Sequence, residues 1–560
     1  MYWLRFQCQF KSNDCRPTFH SPTPKHLSSQ LTEPITPPSP FVSSTPQNWK
    51  RYGTQALRLK FAGVTMVIGS SPNLSGLKYI ALILPFLFTV VYFYHHRPAI
   101  LAAESTRLRL LPHEPNDFWV EFFARLEAAR PHSPPLTFKE KVDALNWAPD
   151  FDRARPEIWK PDPKEVNDLS KSHAAFIKTL PEFARHLPYD ADTTGIVTTA
   201  GKGNFGQVIT LLVMTRQSGS KLPIQIVIDS SSVWIDNLSS RITTRPNILF
   251  LDADIIIANN PDKIFAPGAE PFQSTGFIAW PDFWVPSGSK HFYQIAGGIP
   301  IPQLTDRASS ESGMIVVDKA RHADTILLAS YYNYHGPSHY MAIFSQHGPG
   351  EGDEGTFLQA AYVLEQLAKR PVEHGGYSPP MEWTKLPSAQ GQKKGFYDVK
   401  KMLKAHGRNA NGKWRGMFMK QMDPVEDWRA LQQAAKETKH PAPADTHSPF
   451  LFDSSWLSTV GNLTLKQDEK KIMFFHHNGV KPDFSDVVNS KTGLVEMDEK
   501  TGKLLRMWGN PKWIVETTGK DLEKVLWLST MEVCCRLDED EFDDVCGRMS
   551  EIYEAVYVDK

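Results

Sequence analysis

From about residue 192 onward, the chain carries short, largely apolar runs separated by longer stretches with helical spacing. A strand covered on both faces is apolar at every position, whereas a surface helix is apolar at every third or fourth position. Strands that alternate with helices in this way predict an α/β domain. The apolar runs are residues 195–199, 222–228, 247–251, 312–317 and 471–475.

One longer apolar segment, residues 79–94, precedes this region and contains sixteen residues without a charge. Its apolar positions surround the whole helix, which favours a single membrane-spanning helix, at the short end of the usual length, over a buried core helix. Nine Lys or Arg but only two acidic residues precede it, so the positive-inside rule predicts a cytosolic N-terminus. We therefore predict a cytosolic tail and type II anchor in residues 66–97, with the rest of the chain in a lumen.

The first part of the chain has a composition that does not support a folded core. Residues 17–48 contain eight prolines among Ser, Thr and Gln. Such a segment buries too little apolar area to offset the entropy lost on ordering. We interpret residues 1–65 as a disordered extension and hypothesise that the native chain begins at Met66.

Between the anchor and the α/β region, residues 98–187 are predicted as a stem with helical pieces. Aromatic residues within 118–126 recur at helical spacing after Asn116, a candidate N-cap, and are expected to pack on the next domain. The α/β domain is predicted to span residues 188–515. Residues 516–560 are predicted to form a helical, acidic tail.

Composition limits the classes of function. The 560 residues include 62 Lys or Arg and 62 Asp or Glu, and a chain without net charge has no general attraction for nucleic acid. Its five cysteines are too few for a disulfide scaffold. Cys8 and Cys15 lie in the extension, and among Cys534, Cys535 and Cys546 one pair can form a disulfide in an oxidising lumen.

The most informative polar feature is the pair Asp252 and Asp254, which directly follows the apolar run 247–251. Ligands of open α/β sheets bind at the carboxyl ends of such strands. Two adjacent carboxylates in a dry site require a cation, and oxygen ligands suit Mg²⁺ or Mn²⁺. The alternative is a solvated turn whose aspartates cap a following helix. The same Asp-x-Asp pattern occurs at 150/152, 190/192 and 538/540, without such a strand before it.

A glycine-rich loop at residues 201–208 matches the protein-kinase pattern G-x-G-x-x-G-x-V. The catalytic H-R-D, D-F-G and A-P-E motifs that a kinase needs are absent from the sequence. The loop is followed by a predicted helix that is closed by Gly219. We therefore interpret it as a strand-to-helix turn whose glycines let the backbone approach a nucleotide.

Several motifs follow one another along the chain: GIVTTAGKGNFGQV, LPIQIVI, NILFLDADIIIANNPDKIF, FIAWPDFW, RASSESGMIVVDK, YYNYHGPSHY, GPGEGDEGTF, QMDPVEDW and FFHHNGVKP. Taken together, they resemble the fungal Golgi α-mannosyltransferase family over roughly residues 110–515. The resemblance implies a GT-A-type fold, with a mixed sheet and flanking helices, and transfer of mannose from GDP-mannose with retention. It also implies α-1,2 or α-1,3 linkages, Mn²⁺ (alternatively Mg²⁺), a mannosylated glycoprotein acceptor, a Golgi membrane location and complexes with other Golgi mannosyltransferases.

The resemblance assigns roles to residues on two strand ends. Asp252 and Asp254 would hold the metal and the diphosphate. Thr199, Ala200 and Gly201 would face the nucleotide.

A late element, HHNGVKP, resembles the H-x-x-G-x-x-K-P element of other retaining GT-A transferases, although its spacing from glycine to lysine is one residue shorter. His476 and His477 are therefore alternative metal ligands, and Lys481 is the implied diphosphate partner. An imidazole can ligate Mn²⁺ and an ammonium offsets charge on the departing diphosphate. The alternative for the histidines is a hydrogen-bonded role in the core or at its rim.

Further residues are assigned to the sugars. Glu311, Ser312 and Gly313 begin the run that would line the donor sugar, and Asp353 and Glu354 are candidate acceptor-side carboxylates or a solvated turn. Six aromatic residues can stack on sugars or belong to the core. They are Trp280, Phe283, Trp284, Tyr331, Tyr332 and Tyr334.

One departure from the family affects the activity. Only about eighteen residues separate the runs that end at Ile228 and begin at Asn247, where family members carry a longer stretch. A spliced-out exon or a wrong gene model would explain this shortening. The alternative function is that of a catalytically inactive, membrane-anchored paralogue that binds glycans or acts as a scaffold. Asn237 and Asn462 begin glycosylation sequons, which suit a luminal domain.

Overall fold

The structure of the chain is a computed structural model. It divides into two compact units, one of residues Gln7–Pro112 and one of Met1–Phe6 with His113–Lys560. The residues that it describes are 57–61, 64–68, 115–148, 150–189, 193–200, 205–228, 246–349, 355–380, 395–399, 402–408, 414–437, 471–479, 496–535 and 540–558.

In the first unit, strand β1 (Leu57–Phe61) pairs antiparallel with β2 (Val64–Ile68), and Leu57 lies opposite Ile68. The residue pattern does not predict this hairpin, and β1 falls within the predicted disordered extension. The segment 17–48 and the predicted span 79–94 lie outside the described residues. Within the described ranges, no helix combines the length and apolarity needed to cross a membrane.

The second unit contains twelve strands among its described residues, and each of the five predicted apolar runs falls on one of them. In chain order the strands are β3 (Thr194–Ala200), β4 (Ile224–Ile228), β5 (Asn247–Leu251), β6 (Ile255–Ile257), β7 (Phe277–Pro281), β8 (Ser310–Asp318), β9 (Tyr397–Asp398), β10 (Met402–Arg408), β11 (Trp414–Met422), β12 (Ile472–Gly479), β13 (Glu496–Met497) and β14 (Leu504–Leu505).

The main sheet is mixed and has the order β4-β3-β5-β8-β7-β9. Strand β3 pairs parallel with β4 and β5, β8 pairs antiparallel with β5 and β7, and β7 pairs parallel with β9. The predicted α/β class with a mixed sheet is therefore confirmed.

A second, antiparallel sheet has the order β10-β11-β12-β6. Strand β6 follows β5 after only three residues, Asp252, Ala253 and Asp254. The chain therefore leaves the main sheet and enters the second sheet within one turn. This crossing places the two aspartates between the sheets.

Helices cover the sheets, as predicted. Helix α2 begins after Asp162, whose side chain accepts a hydrogen bond from the main-chain N–H of Lys164. The helices are α1 (Pro115–Ala128), α2 (Pro163–Phe183), α3 (Phe205–Gln217), α4 (Phe272–Thr275), α5 (His291–Ile295), α6 (Lys319–Tyr334), α7 (Met341–Ser345), α8 (Thr356–Ala368), α9 (Pro424–Glu437), α10 (Lys512–Thr518), α11 (Leu522–Cys534) and α12 (Asp540–Tyr557).

The sheet separates two apolar clusters. Val197 belongs to the cluster shared with α1, α2, α6 and α8, whereas its neighbour Ile196 belongs to the cluster shared with β12, α11 and α12. Adjacent residues divide in this way because successive side chains of a strand face opposite sides. The expected packing of the aromatic residues in 118–126 is confirmed. Asn116 is not the N-cap, because α1 begins at Pro115.

The C-terminal residues are helical, as predicted, and are built into this unit. Helix α11 packs on α3, with the hydroxyl groups of Thr210 and Thr530 3.2 Å apart. Cys535 and Cys546 form a disulfide that joins the end of α11 to α12. Of the three pairs that Cys534, Cys535 and Cys546 can form, the structure has the pair Cys535–Cys546.

Candidate functional site

The candidate site begins at the turn between β5 and β6. The main-chain N–H of Asp252 donates to the carbonyl oxygen of Gly313 on β8 at 2.8 Å, and the N–H of Ile255 closes the turn on the carbonyl of Asp252 at 3.2 Å. Ala253 is buried, whereas both aspartates are only half-buried. The alternative in which these aspartates cap a following helix is wrong, because strand β6 follows them.

The end of β3 lies against the same turn. Ala200 and Ala253 are buried in one small apolar cluster with Val208 of α3. Thr199, one residue earlier, is exposed. The structure therefore brings the end of the predicted nucleotide strand to the carboxylate pair, while Gly201 lies outside the described residues.

His476 reaches the site from the second sheet. It lies opposite Ile255 in the pairing of β12 with β6. Its Nδ1 donates to Glu311 Oε2 at 2.7 Å, and its Nε2 lies 3.8 Å from Asp254 Oδ1. The side chains of Asp254 and His476 are each 16% exposed, although the Oδ1 atom of Asp254 is itself buried.

Glu311 is the buried anchor of this arrangement. Its Oε2 accepts from His476, and its Oε1 accepts from the main-chain N–H of Gly313 at 2.8 Å. Burial by itself would raise the pKa of Glu311, but the charge and hydrogen bond of His476 and the N–H of Gly313 lower that pKa below its ordinary value. The carboxylate is therefore ionised at neutral pH, which fixes Nδ1 of His476 as the donor nitrogen.

An irregularity in β8 shapes the site around Gly313. Trp280 of β7 pairs with Glu311, but the preceding Ala279 pairs with Ile315. The intervening residues of β8 therefore bulge next to the end of β5. A Cβ atom at Gly313 would lie 3.0 Å from Glu311 Oε1 and 3.3 Å from Asp252 Oδ2, so only glycine leaves the space beside these carboxylates open. Ser312, on the same bulge, is buried.

The donor set can be tested against a divalent ion. The described residues contain no group of three or more acidic, histidine or cysteine side chains arranged as a complete metal site. Asp254 and His476 nevertheless offer an oxygen and a nitrogen 3.8 Å apart. That separation is below the roughly 4.2 Å spanned by two opposite ligands at about 2.1 Å from one ion. The residues fit a site that the protein forms in part and that a diphosphate and waters complete.

The carboxylate partner of the histidine is the feature that the residue pattern misses. Histidines that bind metals usually donate their other N–H to a carboxylate or a carbonyl, which fixes the tautomer. Glu311 was predicted only to begin the strand that lines the donor sugar. Glu311 directly precedes the apolar run 312–317 of β8, and β8 begins at the edge of the sheet where β5 ends. This position is the signal that could have found it.

Other predicted site residues are placed only in part. His477 lies on β12 opposite Phe418, and its side chain is outside the described part of the structure. Asp353, Glu354 and Lys481 also lie outside it, so their roles stay predictions. Among the aromatic candidates, Trp280, Tyr331 and Tyr332 are fully buried, which confirms the core interpretation for these three.

Comparisons with known proteins point to mannosyltransferases. Residues 232–308 and 301–390 match a family described as "Mannosyltransferase putative", and these ranges contain both aspartates and Glu311. The relatives include alpha-1,2-mannosyltransferase MNN24 of Candida albicans, which is 30% identical over 36% of this chain and 38% of the relative. MNN21 of the same organism is 26% identical over 67% and 62%, and MNN2 of Saccharomyces cerevisiae is 27% identical over 36% and 45%.

The matches cover between 36% and 67% of this chain. In each of these three pairs, the aligned part covers less than two thirds of the relative. All three relatives carry the same activity in their names. These similarities support the resemblance to the fungal α-mannosyltransferase family that the motifs indicate.

Proposed function

We propose that this chain is a glycosyltransferase that moves mannose from GDP-mannose to a mannosyl acceptor with retention, and that the linkage is α-1,2. The relatives' names support mannosyl transfer and this linkage. The mixed sheet, with carboxylates at the end of β5, supports a GT-A-type arrangement.

The observation that carries the proposal is the convergence of Asp254 from the turn between β5 and β6, Glu311 from β8 and His476 from β12. The imidazole is held by a buried carboxylate, and its Nε2 lies beside a second carboxylate. An isolated salt bridge would not require this order, whereas a site for a diphosphate and its divalent ion would. Asp252, on the same turn, adds a further oxygen donor close to Gly313.

Mn²⁺, or alternatively Mg²⁺, would be held in part by Asp254 and His476, with Asp252 as a further candidate oxygen donor, and it would supply positive charge to the diphosphate. The chain's own residues then orient the donor. Thr199 and Ala200 end the strand that leads into the glycine loop, and helix α3 directs the N–H groups of its first turn toward an anion. Lys481 is the further cation that we expect near the diphosphate.

The proposed reaction needs no reagent besides the donor and the acceptor. The bond between C1 of mannose and the β-phosphate oxygen breaks, and a bond between C1 and the acceptor hydroxyl oxygen forms on the same face. The hydroxyl proton passes to the departing GDP. Asp353 and Glu354 stay our candidates for binding the acceptor or the sugar.

The proposed location is the Golgi lumen, with a single type II anchor in the membrane. The apolar segment 79–94 and the charge bias before it support this topology. The disulfide between Cys535 and Cys546 supports an oxidising compartment. A mannosylated glycoprotein would be the acceptor, and complexes with other Golgi mannosyltransferases belong to the same proposal.

The experiment is acceptor-free hydrolysis of GDP-mannose by the full chain with Mn²⁺, together with transfer to methyl α-D-mannopyranoside. We expect Asp254→Asn to lower both rates at least about 100-fold, because it removes a charged donor from the diphosphate site. Asp150→Asn, in another Asp-x-Asp pair, is the matched control and should behave like the wild type. Near-normal turnover by Asp254→Asn would reject the site.

The second candidate is a glycan-binding paralogue without activity. It is favoured by the short stretch between β4 and β5, most of which lies outside the described residues. Wild-type protein that binds mannosides but neither hydrolyses nor transfers GDP-mannose would establish this alternative.

A further inference from the structure

A cleft opens where β8 begins. The cavity itself measures about 50 Å³, and about 510 Å³ of empty space lies between its walls when open solvent at the mouth is counted. Ser310 lines the cleft, and the next residue, Glu311, holds His476, so the cleft and the candidate site share one strand. The polar residues that line it include Arg155, Ser289, Ser309, Ser310, Arg307 and Gln359.

Two buried polar atoms in the lining have no hydrogen-bond partner among the residues that the structure describes. Ser309 Oγ and Gln359 Oε1 make no hydrogen bond to any of the described residues. Buried polar groups in folded proteins nearly always have a hydrogen-bond partner. Two unmet groups along one cleft therefore indicate a ligand that both donates and accepts hydrogen bonds, as hydroxyl groups do.

The charges in the cleft favour a neutral ligand over an anion. Arg307 forms an ion pair with Asp398 at 2.7 Å and donates to Ser310 Oγ at 2.6 Å, so its charge is already compensated. Arg155 donates to the main-chain carbonyl of Pro302 at 2.7 Å. Phosphate sites usually direct several charged donors at the ligand. This cleft instead offers hydroxyl and amide groups.

The cleft also presents aromatic surface to a ligand. Phe292, Tyr293 and Phe344 line the same cleft. A pyranose presents C–H groups between its hydroxyls, and binding pockets for such ligands combine aromatic surface with a few fixed polar groups.

The segment that carries Arg155 is bonded to the loop that lines the cleft, although the sequence predicts a stem there. Gln346 Oε1 accepts from the N–H groups of Ile158 and Trp159 at 2.8 and 3.1 Å. Gln346 Nε2 donates to the carbonyls of Pro156 and Ser287 at 3.0 and 2.7 Å. All four hydrogen-bonding positions of this amide are therefore used to tie the stem segment to the lining loop.

A second tie joins the same two segments. Glu157 accepts from Ser289 Oγ at 2.8 Å and from the N–H of Lys290 at 3.0 Å. A spacer would not need such bonds, whereas a preorganised binding wall lowers the entropy lost on binding.

We propose that this cleft is the acceptor subsite and binds one neutral hexopyranose, the terminal mannose of the acceptor glycan. Ser309 and Gln359 bond to its hydroxyl groups, and the segment around Arg155 forms one wall. The inference rests on the proposed function, because it names where the acceptor of that reaction binds.

The test measures transfer from GDP-mannose to methyl α-D-mannopyranoside by the full chain and its Ser309→Ala and Gln359→Leu variants. Each variant should raise the acceptor KM about 2–10-fold, the range for one lost hydrogen bond, while the KM for GDP-mannose stays within about twofold. Because Ser309 Oγ has no partner among the described residues, its loss should leave the melting temperature unchanged. Ser330→Ala, which removes a hydroxyl bonded within α6, is the matched control.

The outcomes separate this inference from the proposed function. If wild-type protein transfers mannose but both variants keep the wild-type acceptor KM, the subsite is wrong and the function stands. If wild-type protein neither hydrolyses nor transfers, the function fails, and saturation-transfer NMR with methyl α-D-mannopyranoside alone then tests the cleft. Weaker sugar binding by both variants would support the cleft, whereas undiminished binding, or displacement by inorganic phosphate, would overturn it.

Discussion

Glu311 joins parts of the chain that are distant in sequence. Its carboxylate accepts from His476, 165 positions later, and from the N–H of Gly313 on its own strand. A buried carboxylate is stable as an anion only when charge and hydrogen bonds compensate its desolvation, and here both are provided. The residue therefore determines which nitrogen of His476 lies toward Asp254.

Replacing this carboxylate should weaken ion binding more than it disturbs the fold. Glu311→Gln keeps the size of the side chain but removes the charge that selects the His476 tautomer. We expect Mn²⁺ affinity of the full chain with GDP to fall about 10–100-fold, the usual loss when the partner of a metal-binding histidine is removed. Calorimetric titration with MnCl₂ measures it. Glu270→Gln, which alters a carboxylate bonded to Ser274, is the matched control.

An unchanged Mn²⁺ affinity in Glu311→Gln would show that His476 does not act through Glu311. Glu311→Asp should recover part of the affinity. It restores the negative charge, although the shorter side chain places the carboxylate farther from His476. Loss of helical circular dichroism in both variants would instead assign the residue to the core.

The residues of the candidate site differ in how well their positions can be predicted from the sequence. Asp252 and Asp254 are predictable because the apolar run before them identifies a strand end, a local signal. The bond from Glu311 to His476 is not local, since it depends on a second sheet that packs against the first. No period or motif in one sequence reports which two strand ends meet.

At the scale of elements, α2 and α6 are held together by aromatic rings and a buried histidine. Phe176 stacks on Tyr331 with ring centroids 4.5 Å apart. His173 Nε2 forms a hydrogen bond with the Tyr332 hydroxyl at 2.8 Å. Burial lowers the pKa of His173 from 6.5 to about 3. The folded protein thus holds this imidazole in its neutral form.

This burial predicts acid sensitivity. Because the folded pKa of His173 is depressed, the unfolded chain binds the proton first, so stability is lost as the pH falls below about 6.5. Between pH 7 and pH 5 the free energy of unfolding should fall by about 2 kcal/mol from this group alone. Urea unfolding at both pH values measures the loss. His173→Gln should remove most of that difference, whereas the exposed His132→Gln should keep it; equal pH slopes in all three proteins would contradict the assignment.

Elements differ in predictability for physical reasons. The strands of the main sheet are covered on both faces, so their apolar runs stand out. Strands β10 and β11 were not predicted, because runs such as Met402–Arg408 mix charged and apolar residues. Their order comes from pairing, since β10 pairs with β11 and β11 pairs with β12. The helix after the glycine loop was predicted, since its apolar positions and the closing Gly219 are both local signals.

At the scale of the whole molecule, the predicted stem and tail share their cores with the sheet. Phe118 and Phe176 of the stem are buried in the cluster that contains Val197 of β3. Trp527 and Ile552 of the tail are buried in the cluster that contains Ile196. Composition alone suggests flanking segments here, because it reports polarity and not which surface a helix covers.

This sharing predicts which shortened chains fold. A chain of residues 113–560 keeps the second unit apart from Met1–Phe6. We expect it to be soluble and to unfold in one cooperative transition. A chain of residues 188–515, the α/β domain expected from the sequence, lacks α1, α2, α11 and α12 and exposes the apolar residues of both clusters that those helices cover. Because each buried large side chain contributes about 1.5–3 kcal/mol, losing several exceeds the 5–15 kcal/mol that stabilises a typical domain. It should therefore aggregate or lack cooperative unfolding, as measured by size-exclusion chromatography and thermal denaturation.

A chain of residues 113–510 keeps the N-terminal helices α1 and α2 but lacks the C-terminal helices, so it separates the contributions of the two ends to stability. If it melts at the same temperature as residues 113–560, the C-terminal helices are a detachable tail.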